Sequence, residues 1–311
     1  MDIAVFRPHE LPVALGAVRG VDPQPTPMQD RFLEVVGRLH RVTIDPRSLP
    51  APSPRHTAET ISDPHRRKRL LQLAMVMTTI DGSVARTSAE KVSQLAAALG
   101  VDERGVKTLH KMAAHQDTLA RLDLLRRVGG RLVGSAWRDE RWSGVRKVLA
   151  AGFAGGVEEV ALARRYNRLG LLPEGSFGRA LWQHWVERDF SMPGQRNGIP
   201  EIAIFHDLGH VLAGYDTDPV GEIQQAAFQA GFVRNDGFMF LFFAIAQFHL
   251  GLKITPIAEA EVGKLDIEKV MTALARGAAC TVDLSDHWDF WPHLPRPLEE
   301  VRAELEIPPL P

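Results

Sequence analysis

The stretch from Ile204 to Glu222, IFHDLGHVLAGYDTDPVGE, carries the residues best suited to chemistry. On a helix advancing about 100° per residue, His206, Asp207 and His210 fall within an arc of about 100°. Two imidazoles and a carboxylate on one helix face can converge on a single cation, as in other helical His-x-x-x-His sites. Eleven residues separate His210 from Glu222, and Gly214, Asp216, Asp218 and Pro219 among them mark a turn. Glu222 then falls in the first turn of the next helix and can supply a fourth ligand from an antiparallel neighbour. Two imidazoles and two carboxylates suit zinc, or iron or manganese where the geometry expands. The plainer alternative is an exposed helix turn at His206 and Asp207, with Glu222 complementing a helix dipole. The flanking Ile202, Ala203, Ile204, Phe205, Val211 and Leu212 are apolar. They place the histidines in or near a core, where such groups require partners, and that favours the metal.

Other residues near the motif extend the reading. Gln225 and Gln229 follow Glu222 at i+3 and i+7 and share its helix face. They could orient the ligand or bind an aromatic hydroxyl or carboxylate; a solvent-facing polar stripe is the equal alternative. His184, flanked by Trp182 and Trp185, reads as a packed structural histidine. Seven of the fourteen phenylalanines lie between Phe228 and Phe248, Phe242 and Phe243 among them. That run is apolar nearly all round, more than one buried helix face needs. It is either core or a slot for an apolar tail ending at the metal, with Phe242 and Phe243 as contacts. Gly237 to Leu252 has no formal charge for sixteen residues, short of the roughly 20 that a spanning helix needs. A buried helix is expected there.

The elements that must position these residues are helical throughout, and the expected class is all-α: two helical domains behind a Pro-rich arm. Residues 1–63 hold Pro23, Pro25, Pro27, Pro46, Pro50, Pro52 and Pro54, a density that opposes regular structure. Only Met28 to Val42 shows helical spacing there. Asp63-Pro64 is an N-cap and first-turn proline, opening a helical domain over 64–130 that ends near Gly129-Gly130. Its helices run on from Pro64, from Thr87 or Ser88 to Gly100, over Asp102 to Ala114 and over Leu119 to Val128. The remainder, 131–311, predicts helices over Val157 to Leu169, Ser176 to Arg188, Glu201 to Leu212, Val220 to Ala230, Gly237 to Leu252, Ile267 to Gly277 and Pro297 to Leu305.

Composition narrows the classes. Lys and Arg total 37 against 38 Asp and Glu, so the basic footprint of a nucleic-acid binder is missing. A single cysteine, Cys280, excludes a disulfide framework and a cysteine-rich zinc cage. A reducing cytoplasmic setting is expected, and the start, MDIAVFRPHELPVALG, does not read as a secretory signal.

The motif His206-Asp207-x-x-His210, eleven residues, then Glu222 resembles the metal signature of the coenzyme Q (ubiquinone) biosynthesis protein four family. Leu172-Pro173-Glu174-Gly175-Ser176-Phe177-Gly178-Arg179-Ala180 resembles that family's LPE-x-[ST]-[FL]-G block, and Arg188-Asp189-Phe190-Ser191 and Pro297-Leu298-Glu299-Glu300-Val301-Arg302 match further parts. The likeness covers about residues 150–311. It implies an all-α domain holding a divalent cation, zinc above all, at His206, Asp207, His210 and Glu222. It further implies metal-dependent decarboxylation, or oxidative decarboxylation, of a polyprenylated hydroxybenzoate. The alternative it leaves is a non-enzymatic prenyl-lipid-binding scaffold with a structural metal. Implied partners are a prenylated aromatic lipid, other quinone-biosynthesis proteins, the membrane surface and further copies of the chain. Ala74 to Val84 (AMVMTTIDGSV), then Glu90 and Leu95 to Val101, resembles the TerB tellurite-resistance helical domain. There the acidic pair, Asp81 and Glu90, has a longer spacing than usual and reads as a helix stop and a first-turn carboxylate.

Overall fold

The computed structural model describes residues 1–140, 158–255, 258–286 and 288–310. Among the described residues there are fourteen α-helices and no strand, so the all-α class holds.

Residues 1–63 contain three helices where one was expected: α1 (Leu11–Arg19), α2 (Pro27–Leu39) and α3 (Pro54–Thr60). The prolines explain the difference. Pro12, Pro27 and Pro54 each stand in a helix's first turn, where the missing N–H costs nothing and the fixed φ favours the start. Thr26 adds a capping box with Gln29, and the Ser53 side chain accepts from the His56 N–H. The arm is also part of the core, since Ile3, Leu15, Val18, Phe32, Leu33 and Val36 are all buried.

Asp63 caps α4 (Pro64–Met77), and α5 (Arg86–Leu99) ends at Gly100 with φ 64°. Then come α6 (Gly105–Ala113) and α7 (Asp117–Glu140). Helix α7 runs through Gly129 and Gly130, so the expected break at that glycine pair is not there. Glycine in a helix costs only about 1 kcal/mol against alanine, and the flanking periodicity carries the helix across. Asp81 is exposed and accepts a hydrogen bond from Thr26 Oγ1 at 2.8 Å.

The remaining helices are α8 (Val160–Asn167), α9 (Phe177–Val186), α10 (Phe205–Ala213), α11 (Pro219–Phe232), α12 (Phe238–Phe248), α13 (Ile267–Ala279) and α14 (Leu298–Glu304). Val157, expected to open α8, and the start of the expected domain beyond residue 140 lie outside the described residues.

The two parts of the chain share one buried core. Helix α2 packs on α13, with Arg31 Nη2 2.7 Å and Arg38 Nη2 2.6 Å from the Glu268 carboxylate. The His249 Nε2–H donates to the Ile80 carbonyl at 2.9 Å, and Arg127 meets Asp236 at 3.4 Å. These contacts tie the N-terminal helices to the C-terminal ones.

One crossing matters for the site. Helices α11 and α13 meet through Gly231 and Gly277, where a Cβ on Gly277 would overlap the Phe228 carbonyl oxygen. Only glycine lets the two backbones approach so closely. This crossing holds the helix that carries Glu222.

Helix α12 is the expected buried helix, and among the described residues no helix is long and apolar enough to cross a membrane. Most of its apolar side chains are buried. Phe242 is wholly buried and stacks on Phe238, whose ring centroid lies 5.6 Å away. Phe228 and Phe232 are also fully buried, while Phe240 and Phe243 pack partly buried against the same core. Most of the apolar run is thus packed against neighbouring side chains, while Phe240 and Phe243 keep part of their surface exposed.

Candidate metal centre

Helix α10 presents the two histidines. It ends at Gly214 in the left-handed region, φ 76°, which lets the chain turn towards α11. Its last carbonyls would otherwise be orphans. Arg302 of α14 donates to the Val211 and Leu212 carbonyls at 2.9 and 2.8 Å, and Arg276 of α13 donates to the Ala213 carbonyl at 2.9 Å. Two guanidinium cations at a helix C-terminus also complement its dipole. Asp218 caps α11 by accepting from the Gly221 N–H at 2.7 Å, with Pro219 in the first turn. Glu222 follows one residue later and faces α10.

The result is a compact trio. The His206 and His210 Nε2 atoms lie 3.3 Å apart, and each is 3.4 Å from one oxygen of the Glu222 carboxylate. Among the described residues, the ligand atoms of His206, His210 and Glu222 all lie within 4.8 Å of one another. His210 is buried, whereas His206 is 38% exposed at its side chain and Glu222 22%. One side of the trio is thus open to solvent.

Both imidazoles are braced from behind. His210 Nδ1 sits 3.1 Å from the Tyr215 carbonyl, which can only accept, so that nitrogen carries the proton. His206 Nδ1 lies 3.3 Å from Gln229 Oε1. Gln225 Nε2 donates to the His206 main-chain carbonyl at 3.0 Å. Gln225 and Gln229 are buried, so the stripe facing solvent is ruled out, and both bond to a candidate ligand. Gly209 makes this possible, because a Cβ there would overlap the Gln225 amide. Without a side chain at 209, α11 can lean onto α10.

Asp207, expected as a fourth ligand, stands outside the trio. It is buried, and its Oδ2 accepts a hydrogen bond from the Trp185 indole N–H at 2.7 Å. Burial raises its carboxyl above the usual range, with the neighbouring imidazoles and the indole pulling the other way. The sequence offered a clue to this partner, since Trp185 sits on the buried face of α9, but tryptophan in a helix more often signals packing alone. His184, from the same helix, is buried and stacks on His210 with ring centroids 5.4 Å apart. Burial, with His210 and Arg188 nearby, lowers it to about 3, so it stays neutral. Its Nε2 has no hydrogen-bond partner. A cleft lined by His184, Gln183, Arg188, Tyr215 and Asp216 reaches His210 from this side.

The electrostatics of the trio are those of a charged pair. Burial opposes the imidazolium form of His206, but the Glu222 carboxylate outweighs it and lifts the group to about 9. Burial likewise pushes Glu222 up, and the two imidazoles outweigh it and hold it well below the ordinary carboxylate range. Such a site draws positive charge, either protons or a cation in their place. Two Nε2 atoms and one carboxylate form a two-histidine, one-glutamate donor set, which suits zinc and also iron or manganese. No family model matches the chain, and no curated protein matches it.

Proposed function

We propose that the chain is a metal-dependent enzyme whose cation is held by His206, His210 and Glu222, with zinc the best-suited ion and iron or manganese its alternatives. One observation carries this reading: two imidazole Nε2 atoms and a carboxylate converge while the imidazoles' Nδ1 atoms are occupied from behind. A bare ion pair needs one histidine and one carboxylate. Three convergent donors with braced rings are the pattern of a metal site. Three protein ligands leave a coordination position for substrate, as in catalytic rather than structural zinc sites. The solvent-open side at His206 and Glu222 is where that position would be reached.

For the reaction, the resemblance to the coenzyme Q biosynthesis protein four family supports a polyprenylated hydroxybenzoate as substrate and loss of its carboxylate as the chemistry. When bound, a divalent cation supplies Lewis-acid polarisation of a carboxylate or phenolate. The chain's own residues do the rest: Glu222 and the histidines fix the cation's place, and the buried Asp207–Trp185 pair joins α10 to α9 beside it. Simple decarboxylation replaces the lost carboxylate by a proton, whereas replacement by hydroxyl also consumes dioxygen as oxidant.

The test is to strip the protein of metal, reload it with zinc, iron or manganese, and incubate it with a short-chain prenylated 4-hydroxybenzoate in air and without oxygen. Mass spectrometry should show metal-dependent loss of the carboxylate. A protein that binds metal stoichiometrically but leaves the acid intact under every condition would contradict the enzyme and point to a scaffold with a structural metal.

A further inference from the structure

We propose that Gln229 is a positioning residue of the metal centre, its side-chain oxygen holding the proton of His206 on Nδ1 so that Nε2 stays free for a cation. The inference rests on the metal reading above and adds to it the group that prepares the exposed ligand.

A neutral imidazole carries one proton on one of two nitrogens, and only the other can bind a metal. The partner of the outer nitrogen decides which. The two histidines of the trio solve this differently. His210 has a main-chain acceptor, the Tyr215 carbonyl at 3.1 Å. The outer nitrogen of His206 meets a side chain instead, Gln229 Oε1 at 3.3 Å. A primary amide has an accepting and a donating end. Turned the other way, its NH2 would donate to Nδ1, drive the ring proton onto Nε2 and close that nitrogen to a cation.

In the structure the amide oxygen, not the NH2, faces the ring. Gln229 is 2% exposed and lies two helical turns beyond Glu222 on the same face of α11. Gln225, between them, secures the His206 main chain at 3.0 Å. Positions 222, 225 and 229 thus address one histidine from one helix: a carboxylate beside its inner nitrogen, a tie to its backbone and a brace to its outer nitrogen. Because His206 is the more exposed of the two histidines, its orientation depends on that brace more than His210's does on burial.

The experiment measures zinc affinity of the full chain by chelator competition, and the visible spectrum of the cobalt-loaded protein, for wild type, Gln229→Leu, Gln229→Asn and Gln229→Glu. Leucine cannot accept and asparagine is a methylene too short; both should weaken zinc binding by about 10–100-fold, the usual effect of losing such a partner. Melting of the metal-free proteins should hardly change. Glutamate can only accept at neutral pH, so Gln229→Glu should bind zinc at least as tightly as wild type. The cobalt spectrum should shift in the leucine and asparagine variants and be restored by glutamate. Wild-type affinity in Gln229→Leu, or a Gln229→Glu protein tenfold weaker than wild type, overturns the proposal while leaving the metal site standing. Failure of the wild type itself to bind zinc would overturn the metal reading instead. Should Gln229→Leu not fold, the asparagine and glutamate variants decide the matter alone.

Discussion

Replacing Trp185 by phenylalanine separates the role of Asp207 found here from the one its place in the motif suggests. The indole N–H lies 2.7 Å from Asp207 Oδ2, and both side chains are buried. A hydrogen bond to a charged group contributes about 1.5–3 kcal/mol, and removing the donor leaves a desolvated carboxylate behind. The smaller ring adds a packing loss of about 1 kcal/mol at a fully buried site. The expected cost is therefore about 2.5–4 kcal/mol, a large share of the roughly 5–15 kcal/mol that stabilises a typical protein. Urea unfolding of metal-free Trp185→Phe and wild-type protein, followed by circular dichroism, would measure it. In parallel, zinc stoichiometry should stay the same in the variant, because the indole N–H bonds to Asp207, outside the trio. A loss below about 1 kcal/mol would show that Asp207 does not depend on the indole. A simultaneous loss of zinc would return Asp207 to the ligand set and refute the three-ligand reading.

Other perturbations test the supporting structure. Gly209→Ala would drive a methyl group into the Gln225 amide, costing about 1–3 kcal/mol as overpacking and lowering zinc affinity; differential scanning calorimetry and chelator competition read the two effects. Gly277→Ala would press on the Phe228 carbonyl, backbone against backbone, and should cost about 3 kcal/mol, the top of that range, in a urea titration. His249 uses both ring nitrogens as a neutral imidazole, donating from Nε2 to the Ile80 carbonyl and accepting at Nδ1 from the Leu265 N–H. Burial, opposed by the Ile80 carbonyl, lowers its pKa. The unfolded chain then binds the extra proton more readily, so this contribution to stability is full above the unfolded value of about 6.5 and is lost progressively as pH falls from there through the lower folded value. Urea midpoints between pH 7.5 and 5.5 should fall more steeply for wild type than for His249→Gln.

Much of the molecule was legible in the residues because its helices carry strong 3.6-residue periodicity. The cap at Asp63, the stop at Gly100 and the helices bearing His206, His210 and Glu222 all follow from local chemistry. The N-terminal arm did not, because proline reads as a breaker unless its place relative to a cap is recognised; Thr26-Pro27 and Ser53-Pro54 repeat the arrangement of Asp63-Pro64. The glycine pair does not end α7 because flexibility permits a break without imposing one. At the site, spacing alone put Asp207 on the ligand face, whereas the competing donor came from α9, twenty-two residues away in sequence. The glutamines were visible on the face of Glu222, yet only the inclination of α11 onto Gly209 decided what they meet. For the phenylalanines, an apolar surplus could not reveal which neighbours would cover it.

The central claim is that His206, His210 and Glu222 hold one divalent cation, and metal content of purified wild-type and His210→Ala protein tests it most directly. After metal stripping, reloading with zinc and desalting, elemental analysis should find one zinc per wild-type chain and close to none in His210→Ala. Because metal binding to such a site is folding free energy, zinc should raise the melting temperature of wild type and leave the variant unchanged. Full zinc stoichiometry in His210→Ala, or a wild type that returns from reloading without zinc, would contradict the account.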